Sequence, residues 1–287
     1  MPDAGQTGRM HPLTAFWRSV EVLHSTVYFA PDAKQRYEAL GLKGYWMGYC
    51  ASRAGALGSP PAPVVVALFH GFAPRLVERA VPDAWRFADV EAVLTERVAI
   101  AHDALAPALE GHDVARLAHR LGEVAARADL AGMPLAAAER SRPVPDDALG
   151  ALWRHASVLR ELRGDAHVSV LVTAGLSGVA ANALQVALGR APERQRESRG
   201  WTEEEWAAAL ADLRDRGWVD ADGAPTETGR TARERIEDAT DRAVDAALDV
   251  EARAHAVAVE EALTAAARAV VDAAAITFPN PIGAQRP

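Results

Sequence analysis

The chain has 287 residues, 49% of them hydrophobic and 24% charged, enough to bury a sizeable core in two packed halves. Aromatic residues make up only 6%, and Ala-rich runs recur, which points to a mostly α protein. A formal net charge of -8 disfavours non-specific attraction to nucleic acid or anionic membranes, and the single cysteine, Cys50, excludes an internal disulfide and any multi-cysteine metal cluster. The opening MPDAGQTGRMHPLTAF lacks the apolar core of a signal peptide, and no later run approaches the ~20 apolar residues that span a bilayer, so a cytoplasmic protein is expected.

Over residues 12–30, Leu13, Phe16, Trp17, Val20, Leu23 and Val27 recur at spacings of three and four, the period of an amphipathic helix that Pro31 and Asp32 end. Asp32 is placed to cap a short helix stopping near Gly41, and residues 43–57 continue helically until GSPPAP forces a turn. Three successive valines in 64–70 suit a strand, yet the helical surroundings favour a buried helix. Pro82 and Asp83 break the chain before helices over 89–109 and 113–130. The stretch GMPLAAAERSRPVPDD, residues 132–147, reads as a linker between a helical N-terminal half, 1–135, and a C-terminal half, 146–287. In that second half a helix over 146–162 is expected to be interrupted by Gly164, with helices over 167–176 and 178–189 after it.

Next comes GWTEEEWAAALADLRDRGWVDADGAPTETGR. Thr202 and Glu205 form an S/T-x-x-E capping box, Trp206, Leu210 and Leu213 form a buried stripe, and Gly217 ends the helix. Trp218 and Val219 followed by Asp222 and Gly223 predict a small β-hairpin. Thr226 opens a long helix, 244–276 an Ala-rich last one, and TFPNPIGAQRP an irregular tail.

This helix, the hairpin and the following T-x-x-G-R resemble the winged helix-turn-helix of MarR-type regulators. The whole chain also resembles an actinobacterial helix-turn-helix-containing family, through HSTVYFAPDA, GYWMGYCASRAGALG, FHGFAPRLVERAVPDAW, LWRHASVLRELRGDAHV, RGWTEEEW, TDR and NPIG. The resemblance implies a shape more than an activity. In a winged helix the reading helix and the wing meet phosphates and need Lys or Arg. Here Glu203, Glu204, Glu205, Asp212, Asp215, Asp220 and Asp222 outnumber Arg214 and Arg216, so DNA binding through this face is disfavoured. Arg194, Arg196 and Arg199 are the counter-signal, and they keep a ligand-responsive DNA-binding regulator as the alternative.

Candidate chemistry lies elsewhere. His24 and Tyr28 share a helical face, as do Tyr45 and Tyr49, and His70 sits between Phe69 and Phe72. In RELRGDAHV, Arg163 suits a carboxylate or phosphate, and Asp165 is placed to orient the ring of His167. His155, two turns before Arg163, can join them. Against each stands a structural reading: satisfied core histidines, a core aromatic stripe, and Asp165 as a helix cap. The expected architecture is a helical half packed on a winged-helix half with a small-molecule site between them. His24, Tyr28, Tyr49 and His70 would face Arg163 as anion anchor and His167 and Asp165 as catalytic pair. Conversion of the ligand is left open, as are a homodimer and a histidine-bound haem or transition metal using His24, His70 and His167.

Overall fold

The computed structural model describes residues 12–287, so the first eleven residues of the expected 1–135 half lie outside the described part. In order, the chain forms α1 (Thr14–Phe29), α2 (Ala33–Ala39), α3 (Gly44–Ala54), a 3-10 turn (Gly55–Leu57), α4 (Ala62–Leu68), α5 (Pro74–Ala80), α6 (Ala84–Phe87), α7 (Val90–Leu105), α8 (Val114–Arg127) and α9 (Pro134–Arg140). There follow α10 (Ala148–Thr173), α11 (Gly178–Ala187), α12 (Gln195–Ser198), α13 (Glu203–Asp215), α14 (Glu227–Ala246) and α15 (Val250–Asp272). Helix starts follow local chemistry. Proline opens α5 and α9, where its missing N–H is no loss. The side chains of Asp89, Asp113, Asp147, Ser177, Thr226 and Asp249 each accept the amide three residues on. Asp32 occupies its cap position without such a bond.

The expected capping box closes α13 as drawn. Thr202 Oγ1 accepts the Glu205 amide at 3.2 Å while Glu205 Oε2 accepts the Thr202 amide at 2.8 Å. The 64–70 run is helical as far as Leu68, within α4, and only Val65 of its three valines is buried.

Two expectations need correction. Among the described residues no β-strand forms, so the wing is absent; one antiparallel bridge joins Val219 to Pro225. Pro225 has no N–H to extend a ladder, the Asp220 carboxylate gathers the amides of Asp222 and Ala224 at 2.9 Å, and Thr226 is already the cap of α14. The second concerns Gly164, which lies inside α10 and interrupts nothing. A helical glycine costs about 1 kcal/mol relative to alanine, and here the neighbouring turns and burial on several sides outweigh that.

α10 is the axis of the molecule. Its first two-thirds pack against α1, α7, α8 and α9, and its later turns against α14. A large apolar cluster takes in residues from Leu13 to Ala136, Leu152 to Ala166 and Val244 to Ala284, with Trp153 wholly buried within it. Each fully buried Leu or Phe here contributes about 1.5–3 kcal/mol. A smaller cluster, centred on Leu171, Leu184, Leu213 and Ile236, ties the end of α10 to α11, α13 and α14. Part of the 132–147 stretch is itself folded: Leu135 and Ala136 of α9 are buried against α10. No single helix among the described residues is long and apolar enough to cross a membrane.

Candidate functional site

A cavity of about 190 Å³ lies where α3, the α4–α5 loop, α10, α11 and the C-terminal tail converge. Because α10 runs unbroken, Arg160, Gly164, His167 and Leu171 fall on one stripe and line it together. A Cβ on Gly164 would be in ordinary contact there, 3.4 Å from Glu161 Oε2 and 3.5 Å from Arg160 Nη1. α11 presses its first turn on the α4–α5 loop so closely that a Cβ on Gly178 would meet the His70 carbonyl oxygen at 1.8 Å. Asn182 Nδ2 donates to the Gly71 carbonyl at 2.7 Å, and Gln195 Nε2 links Asn182 Oδ1 (3.1 Å) to the Pro281 carbonyl (2.9 Å). One wall is aromatic, with Tyr49, Phe69 and Phe72 ring centroids 5.4–6.0 Å apart.

Four arginines reach this cavity: Arg53, Arg160, Arg199 and Arg233. Glu161, wholly buried, takes Arg53 bidentately at 2.7 and 2.8 Å and Arg160 at 3.1 Å. Arg160 also meets Glu21 at 3.3 Å, and Arg233 pairs with Glu237. Arg199 is the exception. It lies over the Phe72 ring, donates Nη2 to the Pro281 carbonyl, and has no carboxylate within ion-pair distance among the described residues. Burial lowers the proton affinity of Arg199 and Arg233 below that of a free guanidinium, yet both remain charged. Arg199 Nε and Arg233 Nη1 are buried without hydrogen-bond partners. The lining carries no carboxylate of its own, so the space favours an anion.

The two histidines on the cavity are held in defined tautomers. Thr240 donates its hydroxyl to the Ile236 carbonyl at 2.8 Å, so it accepts from His167 Nδ1 at 2.9 Å, leaving His167 Nε2 without a proton. Burial, then the charge of Arg233, pushes His167 down to about 4. His70 donates Nε2–H to the Leu176 carbonyl at 3.1 Å. Each ring therefore keeps one nitrogen that can accept a hydrogen bond.

Of the residues expected at the site, Tyr49, His70 and His167 line the cavity, and the others do not. His24 is wholly buried. Its Nδ1–H donates to Ser157 Oγ at 2.9 Å, its Nε2 accepts the Tyr28 hydroxyl at 3.0 Å, and its ring stacks on Trp153 at 5.9 Å. Tyr28 supports Tyr49 from behind, ring centroids 5.0 Å apart. Arg163 is committed to Asp241 at 2.5 Å and Glu237 at 2.9 Å, beside an outer cleft of about 560 Å³. Asp165 faces away and accepts the amides of Leu135 and Ala136 at 2.9 and 3.1 Å, capping α9; Thr240, not Asp165, orients His167. Burial pushes the Asp165 carboxyl up to about 6 against the pull of those amides. His155 packs on α8 at Gly122.

The outer cleft shares Arg160, Gly164, His167, Gln185, Arg233 and the tail residues Ile282 and Gly283 with the cavity, so the two spaces adjoin. His24 does not meet His70 and His167, and no group of three or more His, Cys, Asp or Glu side chains among the described residues is placed to hold a metal. Sequence reasoning missed Arg53, Arg160 and Arg233, and it placed Arg199 on a DNA-facing surface. Their flanks carry no signal that sets them apart, since exposed arginines such as Arg116, Arg127 and Arg214 also follow apolar residues.

A family model described as a helix-turn-helix family matches residues 13–277. Comparison with curated proteins and with solved structures gave no match.

Proposed function

The chain belongs to that helix-turn-helix family, and from this premise we propose that it binds a small organic anion in the cavity beside α10. The observation that carries this reading is Arg199: a buried guanidinium, facing an aromatic wall, held by the Pro281 carbonyl and the Tyr49 side chain and with no carboxylate within ion-pair distance among the described residues. Burying a charge without an ionic partner is unfavourable, and a bound carboxylate or comparable anion would relieve it. His167, with a bare Nε2, is the acceptor for a ligand proton and would be the base if the ligand is converted.

In the same reading, α11, α13 and the bridged loop after α13 are a MarR-like helix-turn-helix reused as scaffold. The outward face of α13 exposes Glu203, Glu204 and Asp215 against Arg214, and the loop adds Asp220 and Asp222. Arg199 is turned inward and Arg196 is paired with Glu197 and Glu203. Native mass spectrometry of the gently purified full chain is expected to release an acidic small molecule that the Arg199→Met variant does not carry. A neutral or cationic ligand retained by that variant would overturn the reading. The family description favours a second reading, a DNA-binding regulator with the cavity as effector site. Its test is electrophoretic mobility with genomic fragments at low salt, where no shift is expected and a salt-sensitive shift would promote the regulator.

A further inference from the structure

Arg53 and Arg199 are placed alike in one respect: each lays its guanidinium over a phenylalanine of the α4–α5 loop, Arg53 over Phe69 at 4.6 Å and Arg199 over Phe72 at 4.2 Å. They differ in what the Nε–Nη2 edge holds. At Arg53 that edge grips a whole carboxylate, with Nε and Nη2 at 2.8 and 2.7 Å from the two oxygens of Glu161. At Arg199, Nη2 donates to the Pro281 carbonyl and Nε, shut off from solvent, has no acceptor. A neutral oxygen thus stands where the same edge of Arg53 has an anion, and one donor of a charged group 9% exposed is left unused.

The size and lining of the space narrow the choice of anion. An engineered apolar cavity of about 150 Å³ takes benzene, so a cavity of about 190 Å³ accommodates one six-membered ring with a small substituent. Tyr49, Phe69 and Phe72 give the lining its aromatic side, with a guanidinium already over one face of Phe69 and of Phe72.

We infer that the cavity takes a monocyclic aryl carboxylate, its ring against Tyr49, Phe69 and Phe72 and its carboxylate on the Nε–Nη2 edge of Arg199 in place of the Pro281 carbonyl. The inference rests on the organic-anion reading above and narrows it. Because Arg199 Nε is covered, the tail must lift as the carboxylate seats. The tail is built to move as one piece. The side chain of Asn280, wholly buried, accepts the Ala284 amide at 2.9 Å and donates to the carbonyls of Thr277 (3.0 Å) and Ala284 (3.3 Å), closing the loop on itself. Its polar hold on the body passes through the Pro281 carbonyl, to Gln195 and Arg199, and through the Pro287 carbonyl, which accepts from Arg268 Nε at 3.5 Å.

Isothermal titration of the full chain with benzoate, its neutral isostere benzamide and the larger 2-naphthoate tests this. Benzoate is expected to bind at least about tenfold tighter than benzamide, as a charge-assisted pair requires, and 2-naphthoate more weakly than benzoate. Arg199→Met should lose benzoate. If that variant melts early, Arg199→Lys, which keeps the charge without the two-donor edge, should weaken benzoate by about tenfold. Asn280→Ala, which loosens the loop and leaves Arg199 intact, should raise benzoate affinity several-fold. Equal binding of benzamide, a well-folded Arg199→Met that still binds benzoate, weaker binding by Asn280→Ala, or no heat with millimolar benzoate each overturns the inference. If succinate binds in an Arg199-dependent way and benzoate does not, the organic-anion reading stands and the aryl class falls. If no organic anion responds to Arg199, both fall.

Discussion

Glu161→Gln is the sharpest perturbation of the cavity wall, because it preserves volume and removes one charge. The carboxylate is wholly buried and serves two guanidiniums, Arg53 at 2.7 and 2.8 Å and Arg160 at 3.1 Å. After substitution Arg160 keeps Glu21 at 3.3 Å, while Arg53 keeps the Tyr49 hydroxyl at 3.4 Å. Breaking a buried pair by removing one partner costs about 3–5 kcal/mol. The amide oxygen of glutamine still accepts one hydrogen bond, which recovers about 1 kcal/mol and leaves a loss of about 2–4 kcal/mol. At about 2 °C per kcal/mol for a chain of this length, the melting temperature at pH 7 should fall by about 4–8 °C in calorimetry.

The pH dependence of the same variant is a second readout. Against the effect of burial, Arg53 and Arg160 hold the Glu161 carboxyl well below its ordinary 4.5. A carboxylate depressed in the folded state stabilises above its unfolded value and loses that contribution as pH falls towards the folded one. The gap between wild type and Glu161→Gln should therefore narrow on acidification below about 4.5. Replacing Arg53 and Glu161 together by Met should destabilise less than Glu161→Gln alone, since no unpaired charge then remains at Arg53. A fall under 2 °C at pH 7, or a gap that stays constant on acidification, would refute the electrostatic account of this wall.

Asp165→Ala should cost about 1–2 kcal/mol by uncapping α9, seen in urea unfolding, and should leave anion affinity in the cavity unchanged. His167, with a folded value of about 4 against 6.5 unfolded, binds fewer protons when folded, so stability should drop as pH falls from 6.5 towards 4. An NMR titration of its ring should show a midpoint near 4, and His167→Phe should flatten that part of the stability profile. Gly178→Ala, which drives a Cβ into the His70 carbonyl, should cost about 2 kcal/mol or more in thermal melting and weaken anion binding by displacing the α4–α5 loop.

Most helices were legible because their signals are local. The caps at Thr202 and Thr226, the apolar stripe of α1 and the proline breaks each act within a turn or two. The site was legible only in part, and the reason is helical phase. Treating Gly164 as a break restarts the register, which puts Arg163, Asp165 and His167 in one group. With α10 continuous, Arg160, Gly164 and His167 share the cavity stripe, Arg163 rotates to the outer cleft, and Asp165 to the amides of α9. No window of sequence shows whether a glycine breaks a helix or rides inside it, because packing on several sides decides. Arg199 was misplaced for a related reason: its position among Arg194 and Arg196 suggests a basic surface, while the turn after α12 points it inward onto Phe72. The hairpin failed where one proline and one cap competed for the residues it needed.

The continuity of α10 constrains how the protein can respond to whatever it holds. One unhinged rod carries a wall of the ligand chamber, braces the start of α9 and supplies the shelf on which α14 rests. Bending within it would break packing on several sides at once, so occupancy reaches α13 through α11, which lines the chamber and packs on α13, while α10 itself answers as a tilt or roll of the entire shaft. Such a lever trades local flexibility for reach, and a small displacement beside Gly164 would be felt at its far end.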